Sequence, residues 1–358
     1  MIPFTDLQSQ YQEAKQEIDA GIKHIVDTNA YITGPLVEQF EQKLIDYTGA
    51  QASASCGSGT TALLISLRAC GIGQGDEVIT TAHTFVATTE AICDVGATPV
   101  FVDIDEYYHI DVNKIEEAIT ERTKAILFVD LYGQTPDINK LKKIADQHNL
   151  KLIEDAAQSF GSDYMGQKVG SLVDITACSF NPVKNLGAMG DSGCVTGHKE
   201  LVDLARMYRD HGRQEKFTYE FVGYNARIDN MQAKIVEAKL PYLDGWLKKK
   251  REICRYYSEE LKDYYTTPKE TPWSTHTYYV YVLEHERRDW LREKLAEHGI
   301  ATNIHYPKPN NIQPAFKDYH CALPRTEHAC SRIFSIPCYH SLSDSNIEYI
   351  IKTLKVLR

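Results

Sequence analysis

The chain has 358 residues, 43% of them hydrophobic and 25% charged, with a formal net charge of −10. That size is more than one core readily fills, so a large domain with a smaller companion is expected, and the composition excludes a largely disordered chain. The negative balance excludes the broad basic surface selected by nucleic acid or an anionic membrane, while leaving a small anionic ligand open.

The opening MIPFTDLQSQ has neither the basic stretch nor the apolar stretch of a secretory signal, and no apolar run approaches about eighteen residues. A cytoplasmic protein is expected. The nine cysteines include no C-x-x-C pair, and several sit in apolar sequence such as Ala177-Cys178 and Cys194-Val195. They read as buried reduced thiols, with no metal site.

In chain order, a helix is expected over 8–28. Gly57-Ser58-Gly59-Thr60 then precedes an apolar run at helical spacing from Thr61 to Leu67. Short strand-type runs follow at Glu77–Thr80, Pro99–Val102, Ala125–Val129 and Leu152–Ile153, with helices expected around 86–94, 112–120 and 137–148. Alternation of this kind predicts a mostly parallel sheet covered on both faces, whose ligands gather at the carboxyl ends of its strands. Thr176–Phe180 reads as another strand, with Lys184 on the loop that leaves it.

Helices are expected over 199–211 and 229–260, and the run Lys248–Arg251 reads as a solvated helix face. A second group of elements comprises a strand at Tyr278–Val282, a helix near 287–298 and a strand at Ala301–His305. The domain boundary is placed in the long helix, giving 1–245 and 246–358. No internal repeat is visible.

Three features carry chemistry. Gly57–Thr60, at a helix start, offers backbone N–H groups and hydroxyls suited to a phosphate, though neither the dinucleotide G-x-G-x-x-G nor the P-loop pattern is completed, and a Ser/Thr-capped turn explains it equally well. Asp155, placed just beyond a strand ending at Ile153, is either a structural cap or a ligand carboxylate. Lys184, among Pro182, Val183, Leu186, Gly187 and Ala188, is either a surface-loop residue or a desolvated amine with a depressed pKa and usable nucleophilicity. One acid and one lysine are what a bound pyridoxal phosphate needs, for its ring nitrogen and its Schiff base.

Glu154-Asp155-Ala156-Ala157-Gln158 and Ser179-Phe180-x-Pro182-x-Lys184-Asn185-Leu186-Gly187 resemble the signatures of the DegT/DnrJ/EryC1/StrS sugar aminotransferases. Further blocks follow the same order: Gly75–Thr80, Gly190-Asp191-x-Gly193, Gly223-Tyr224-Asn225-x-Arg227-Ile228-Asp229, Gln232-Ala233 and His305-Tyr306-Pro307. The resemblance spans nearly the whole chain and implies the type I aspartate-aminotransferase-like α/β fold, with a large domain built on a mostly parallel sheet and a smaller C-terminal α/β domain.

By position, the resemblance gives Lys184 the Schiff base, Asp155 the pyridine nitrogen and Gln158 the neighbourhood of the phenolic oxygen. It implies that Phe85 stacks on the ring, and that Ser58, Gly59, Thr60 and Ser179 hold the phosphate. Asn225 matches a residue reaching that phosphate from a neighbouring subunit, which implies a homodimer with shared sites. His305 and Tyr306 match positions lining the sugar-nucleotide pocket, and Arg227 is a candidate for an anionic substrate group; a satisfied polar histidine and an interface arginine are the alternatives.

The implied reaction is transamination between L-glutamate, leaving 2-oxoglutarate, and a nucleotide-linked keto sugar. The Asn-Pro-x-Lys-Asn-Leu-Gly block, Asp210–Gln214 and Gly223–Asn225 look closer to members acting on 3-keto sugars. A UDP-linked 3-keto-N-acetyl sugar, of glucosamine or glucuronate type and serving surface polysaccharide, is preferred. A dTDP-3-keto-6-deoxyhexose, a 4-keto-6-deoxy sugar and a non-catalytic pyridoxal-binding regulator are the alternatives. The family's dehydratase branch carries histidine at the lysine position, and this chain keeps Lys184.

Overall fold

The computed structural model describes residues 1–358. Seven strands form the main sheet: β1 (Ala52–Cys56), β2 (Glu77–Thr81), β3 (Thr98–Val102), β4 (Thr123–Val129), β5 (Lys151–Asp155), β6 (Ile175–Ser179) and β7 (Gly193–Gly197). Their spatial order is β1-β7-β6-β5-β4-β2-β3, parallel from β6 through β3, with β7 antiparallel to both β1 and β6. The expected mostly parallel sheet is therefore present.

Both faces of the sheet are buried, as strand alternation requires. Along β4, Ala125, Leu127 and Val129 enter one core, while Ile126 and Phe128 enter the other. The helices α3 (Pro35–Thr48) and α6 (Ile138–His148) contribute to the Phe128 side, and α4 (Gly59–Ala69), α5 (Val86–Asp94) and α7 (Lys199–Tyr208) to the Leu127 side. A third core, formed by Tyr257, Tyr281, Leu283, Leu291, Phe334 and Ile350 among others, lies between α9 (Leu243–Leu261), α10 (Arg288–Glu297), α11 (Asp344–Val356) and the antiparallel pair β8 (Tyr281–Glu284) and β9 (Ile333–Ile336).

Several expected elements differ in detail. The N-terminal helix is two, α1 (Leu7–Glu13) and α2 (Lys15–Thr28), broken at Ala14. Residues 112–120 form two 3₁₀ turns, Val112–Lys114 and Glu116–Ala118, with an Asp111 cap in place of a continuous helix. The helix expected over 229–260 is α8 (Asn230–Lys239) and α9, separated by a 3₁₀ turn at Leu240–Tyr242 that contains Pro241, whose missing N–H cannot continue the helix. Ala301–His305 is not a strand; only Asn303 bridges to Ser335. Six of the nine thiols, those of Cys56, Cys178, Cys194, Cys254, Cys330 and Cys338, are buried.

What positions the site is a close approach of backbones at the carboxyl ends of β1 and β6. A Cβ on Gly59 would stand 2.6 Å from Ser179 Cβ, and one on Gly193 would stand 2.6 Å from Ser58 O and 2.7 Å from Cys178 O. Glycine at both places lets the start of α4 sit directly against the end of β6 and the start of β7. Gly193→Ala is therefore expected to lower stability by ~1–3 kcal/mol through backbone displacement. Gly245→Ala, at an open helical position, leaves it unchanged or raises it by up to ~1 kcal/mol. Urea unfolding of the two variants checks the contrast.

Candidate functional site

A cavity of about 540 Å³ opens at the carboxyl ends of β4, β5 and β6. Ser58, Gly59, Thr60, Phe85, Asp155, Gln158, Ser179, Lys184, His305 and Tyr306 all line it. Ten of the twelve positions singled out in the sequence thus converge, from segments as far apart as Ser58 and Tyr306. Asp155 proves to be the last residue of β5, so that strand runs two residues beyond Ile153 and still delivers the carboxylate at its carboxyl end.

Asp155 is buried. Burial pushes its carboxyl above the usual range, opposed by the Thr88 hydroxyl donating at 2.7 Å, the Ala157 N–H donating at 3.2 Å, and the Lys184 charge. Lys184 follows β6 on a tight loop closed by Lys184 N–H donating to Asn181 O at 2.9 Å and Ala188 N–H to Phe180 O at 2.8 Å. Its ammonium lies 4.5 Å from the centre of the Tyr279 ring and forms no ion pair. Desolvation lowers its pKa to about 8, with Asp155 pulling the other way. Near neutrality about a tenth of Lys184 is therefore the free amine, far more of the nucleophile than an ordinary surface lysine supplies.

At one end of the cavity Ser58 caps α4, its hydroxyl accepting from Thr61 N–H at 3.1 Å. The N–H groups of Gly59 and Thr60, in the first turn, have no protein acceptor and point from the positive end of an 11-residue helix. With Ser179 across from them they form an anion cradle. At the mouth, Phe85 is 51% exposed and lies 5.7 Å, centre to centre, from the Tyr306 ring.

Gln158 is held from both ends: its Oε1 accepts from Tyr132 N–H at 2.7 Å, and its Nε2 donates to Tyr306 Oη at 3.1 Å. The Tyr306 proton is thereby free to point elsewhere. His305 is neutral, burial lowering its pKa to about 4 with Lys184 adding to the effect. Its Nδ1 pairs with Ser335 Oγ at 3.0 Å and its Nε2 with Asn303 Nδ2 at 3.4 Å. Both ring nitrogens are used, so His305 contributes its ring face to the cavity.

Asn225 and Arg227 are the two positions that do not line this cavity. Their segment runs behind the glycine turn, with Gly57 N–H donating to Ala226 O at 2.9 Å. Arg227 donates to Asn225 Oδ1 at 2.8 Å, pairs with Asp210 at 3.0 Å, and borders a separate cleft of about 650 Å³ with Glu41, Arg206 and Arg213. Sequence reasoning missed Thr88 and Tyr279. Thr88 ends the same Thr84–Thr88 block as Phe85, so helical spacing from Thr84 could have flagged it; Tyr279 was hidden within an apolar aromatic run.

A buried acid beside a depressed lysine, an aromatic wall and an unpartnered helix start fit pyridoxal phosphate group by group. Comparison with known proteins agrees. The model of the DegT/DnrJ/EryC1/StrS aminotransferase family matches residues 12–355. The Geobacillus stearothermophilus "Pleiotropic regulatory protein" is 40% identical over 99% of this chain and 97% of its own. The Pseudomonas aeruginosa UDP-2-acetamido-2-deoxy-3-oxo-D-glucuronate aminotransferase is 38% identical over 99% of each chain. The dTDP-3-amino-3,6-dideoxy-alpha-D-galactopyranose transaminase of Aneurinibacillus thermoaerophilus is 39% identical over 99% of each. Among solved structures, that of ntda from Bacillus subtilis with bound cofactor pmp superposes with a TM-score of 0.93 at 31% identity, covering 99% of this chain and 85% of that one. This chain belongs to the DegT/DnrJ/EryC1/StrS aminotransferase family and is a pyridoxal-phosphate-dependent sugar aminotransferase.

The free-amine character of Lys184 is directly measurable. In cofactor-free protein, competitive amine labelling followed by peptide mapping should give Lys184 a midpoint near pH 8. In Asp155→Asn, with the opposing charge gone, the midpoint moves lower.

Proposed function

We propose that this member of the family transfers the amino group of L-glutamate to a nucleotide-linked 3-keto sugar, with a UDP-linked 3-keto-N-acetyl sugar preferred, for surface polysaccharide synthesis in the cytoplasm. The observation that carries the reading is the meeting of Asp155 and the partly neutral Lys184 in one cavity beside an anion cradle.

Pyridoxal phosphate, when bound, supplies a carbonyl carbon for amine capture and a ring that accepts the electron pair left by deprotonation of the donor. Asp155 would pair with the ring nitrogen and keep a proton there; Thr88 and Ala157 donate to its carboxylate and so favour the ionised form that this needs. Gly59, Thr60, Ser58 and Ser179 would hold the phosphate, and Phe85 would cover one ring face. Gln158, fixed by Tyr132 N–H and Tyr306, would lie by the phenolic oxygen. Lys184 Nζ would hold the cofactor, and as a free amine it would take the proton from the α-carbon of the amino donor and return one at the keto carbon of the sugar.

The division of labour near residue 245, into a cofactor-binding part (1–245) and a smaller C-terminal part (246–358), belongs to this reading: His305 and Tyr306 come from the second part and Asp155 and Lys184 from the first. So does a homodimer, in which Asn225 and Arg227, set outside the cavity of their own chain, serve the partner's phosphate and substrate.

One observation bears on the sugar. Apart from Lys184, no lysine or arginine lines the cavity. A glucuronate carboxylate finds no countercharge there unless a second copy brings Arg227, whereas the glucosamine-type sugar and the rival dTDP-3-keto-6-deoxyhexose need none.

Adding L-glutamate to the cofactor-loaded protein should shift its visible absorption band, and Lys184→Ala should abolish both band and shift. The pyridoxamine form should then turn over 3-keto nucleotide sugars faster than 4-keto-6-deoxy ones. No shift with any amino donor would instead favour a pyridoxal-binding regulator.

A further inference from the structure

Two carboxyl groups lie directly behind Asp155, and the reaction as derived uses neither. In the parallel pairing of β4 and β5, Phe128 is opposite Glu154 and Val129 opposite Asp155, so the next residue of the first chain segment, Asp130, comes alongside the end of β5. Asp130 N–H donates to Asp155 O at 3.1 Å. The Asp130 and Glu154 side chains are both fully buried.

Their oxygens divide into two sets. Asp130 Oδ2 accepts from Ser159 Oγ at 2.6 Å. One Glu154 oxygen, Oε2, accepts from Thr176 Oγ1 at 2.7 Å and from Gly170 N–H at 3.4 Å. The other two, Asp130 Oδ1 and Glu154 Oε1, are shielded from solvent and meet no donor. Neither carboxyl has a cation beside it; the further charge acting on both is the Asp155 carboxylate. Two buried carboxyls that meet as a hydrogen-bonding pair, each with an oxygen that finds no other donor, are stable in a low-dielectric interior only with a proton on one of them.

We infer that Asp130 and Glu154 share one proton, and that the pair is a positioning device bracing the turn 155–159, which carries both Asp155 and Gln158. The brace acts at two points, Ser159 Oγ on Asp130 Oδ2 and Asp130 N–H on Asp155 O. Burial, then the Glu154 charge, pushes Asp130 well above the ordinary carboxyl range, and burial raises Glu154 as well, so the pair as a whole retains a proton. The functional half of this inference rests on the reading of Asp155 as the ring-nitrogen partner; the shared proton does not.

The sign of the pH dependence follows. The folded protein keeps a proton that the unfolded chain releases above the ordinary carboxyl pKa, so this pair makes stability fall as pH rises from there through its raised value. Asp130→Asn preserves the pattern, its amide donating to Glu154 and its carbonyl accepting from Ser159, and removes that slope. Asp130→Ala leaves Glu154 Oε1 without its carboxyl partner and Ser159 Oγ without its acceptor.

Infrared spectra of wild-type holoenzyme and cofactor-free protein at pH 8, in water and deuterium oxide, should contain a protonated-carboxyl band lost in both Asp130→Asn and Glu154→Gln. Asp130→Asn holoenzyme should keep the wild-type cofactor spectrum and turnover, with a flatter stability–pH curve. Asp130→Ala, with Asp155 and Gln158 displaced, should lose roughly 10- to 100-fold in kcat with the donor KM little changed. Absence of the band, or an Asp130→Asn enzyme as damaged as Asp130→Ala, overturns the inference. If Asp155→Asn leaves spectrum and turnover unchanged, the reading of Asp155 fails instead, and the band still decides the shared proton.

Discussion

A carboxylate and an amine, both withdrawn from water, set the terms for the rest of this molecule. Burial raises the Asp155 pKa and lowers that of Lys184, so each group alone would drift toward neutrality; each partly restores the charge of the other. Asp155 is kept ionised by donors aimed at it, Thr88 from the neighbouring helix and the Ala157 N–H from its own turn. Lys184 is given no such hydrogen-bond partner, only the face of Tyr279, and its pKa settles near 8. The asymmetry gives one carboxyl whose ionised form is held by donors and one amine that can lose and regain a proton.

The sheet makes that arrangement possible. Parallel strands deliver Asp155 and Ser179 at the same edge, one at the end of β5 and the other at the end of β6, and two glycines remove the side chains that would hold the start of α4 away from them. Strand, glycine turn and helix start thus bring acid, amine and anion cradle into one cavity of about 540 Å³. Behind it, the Asp130 and Glu154 carboxyls extend the polar network through the sheet, where the low dielectric makes satisfied hydrogen bonds strong and unsatisfied ones costly.

Much of this was legible in the sequence because the signals were local. The glycine turn before an apolar helix, the strand leading into Asp155 and the loop carrying Lys184 each fall within a few residues, and the ordered blocks linked them to one family. Tertiary relationships were not legible. Thr88 acts on Asp155 across 67 positions, and Tyr132 N–H fixes Gln158 across 26. The 112–120 segment, with acidic and apolar residues at helix-like spacing, looked helical but forms only two 3₁₀ turns, with Ile119 already extended. Ala301–His305 read as a strand from its composition, yet its groups serve the cavity rim and a single bridge to Ser335. Nor was it legible that Asn225 and Arg227 lie outside the cavity that gathers the other ten positions.

The central claim is that Lys184 is the amine that holds the cofactor. Borohydride reduction of the purified holoenzyme, followed by digestion and mass spectrometry, tests it most directly. The account predicts a pyridoxyl-phosphate mass increment on the peptide containing Lys184 and on no other. An increment on a different lysine, or a cofactor that washes away unreduced, would contradict it.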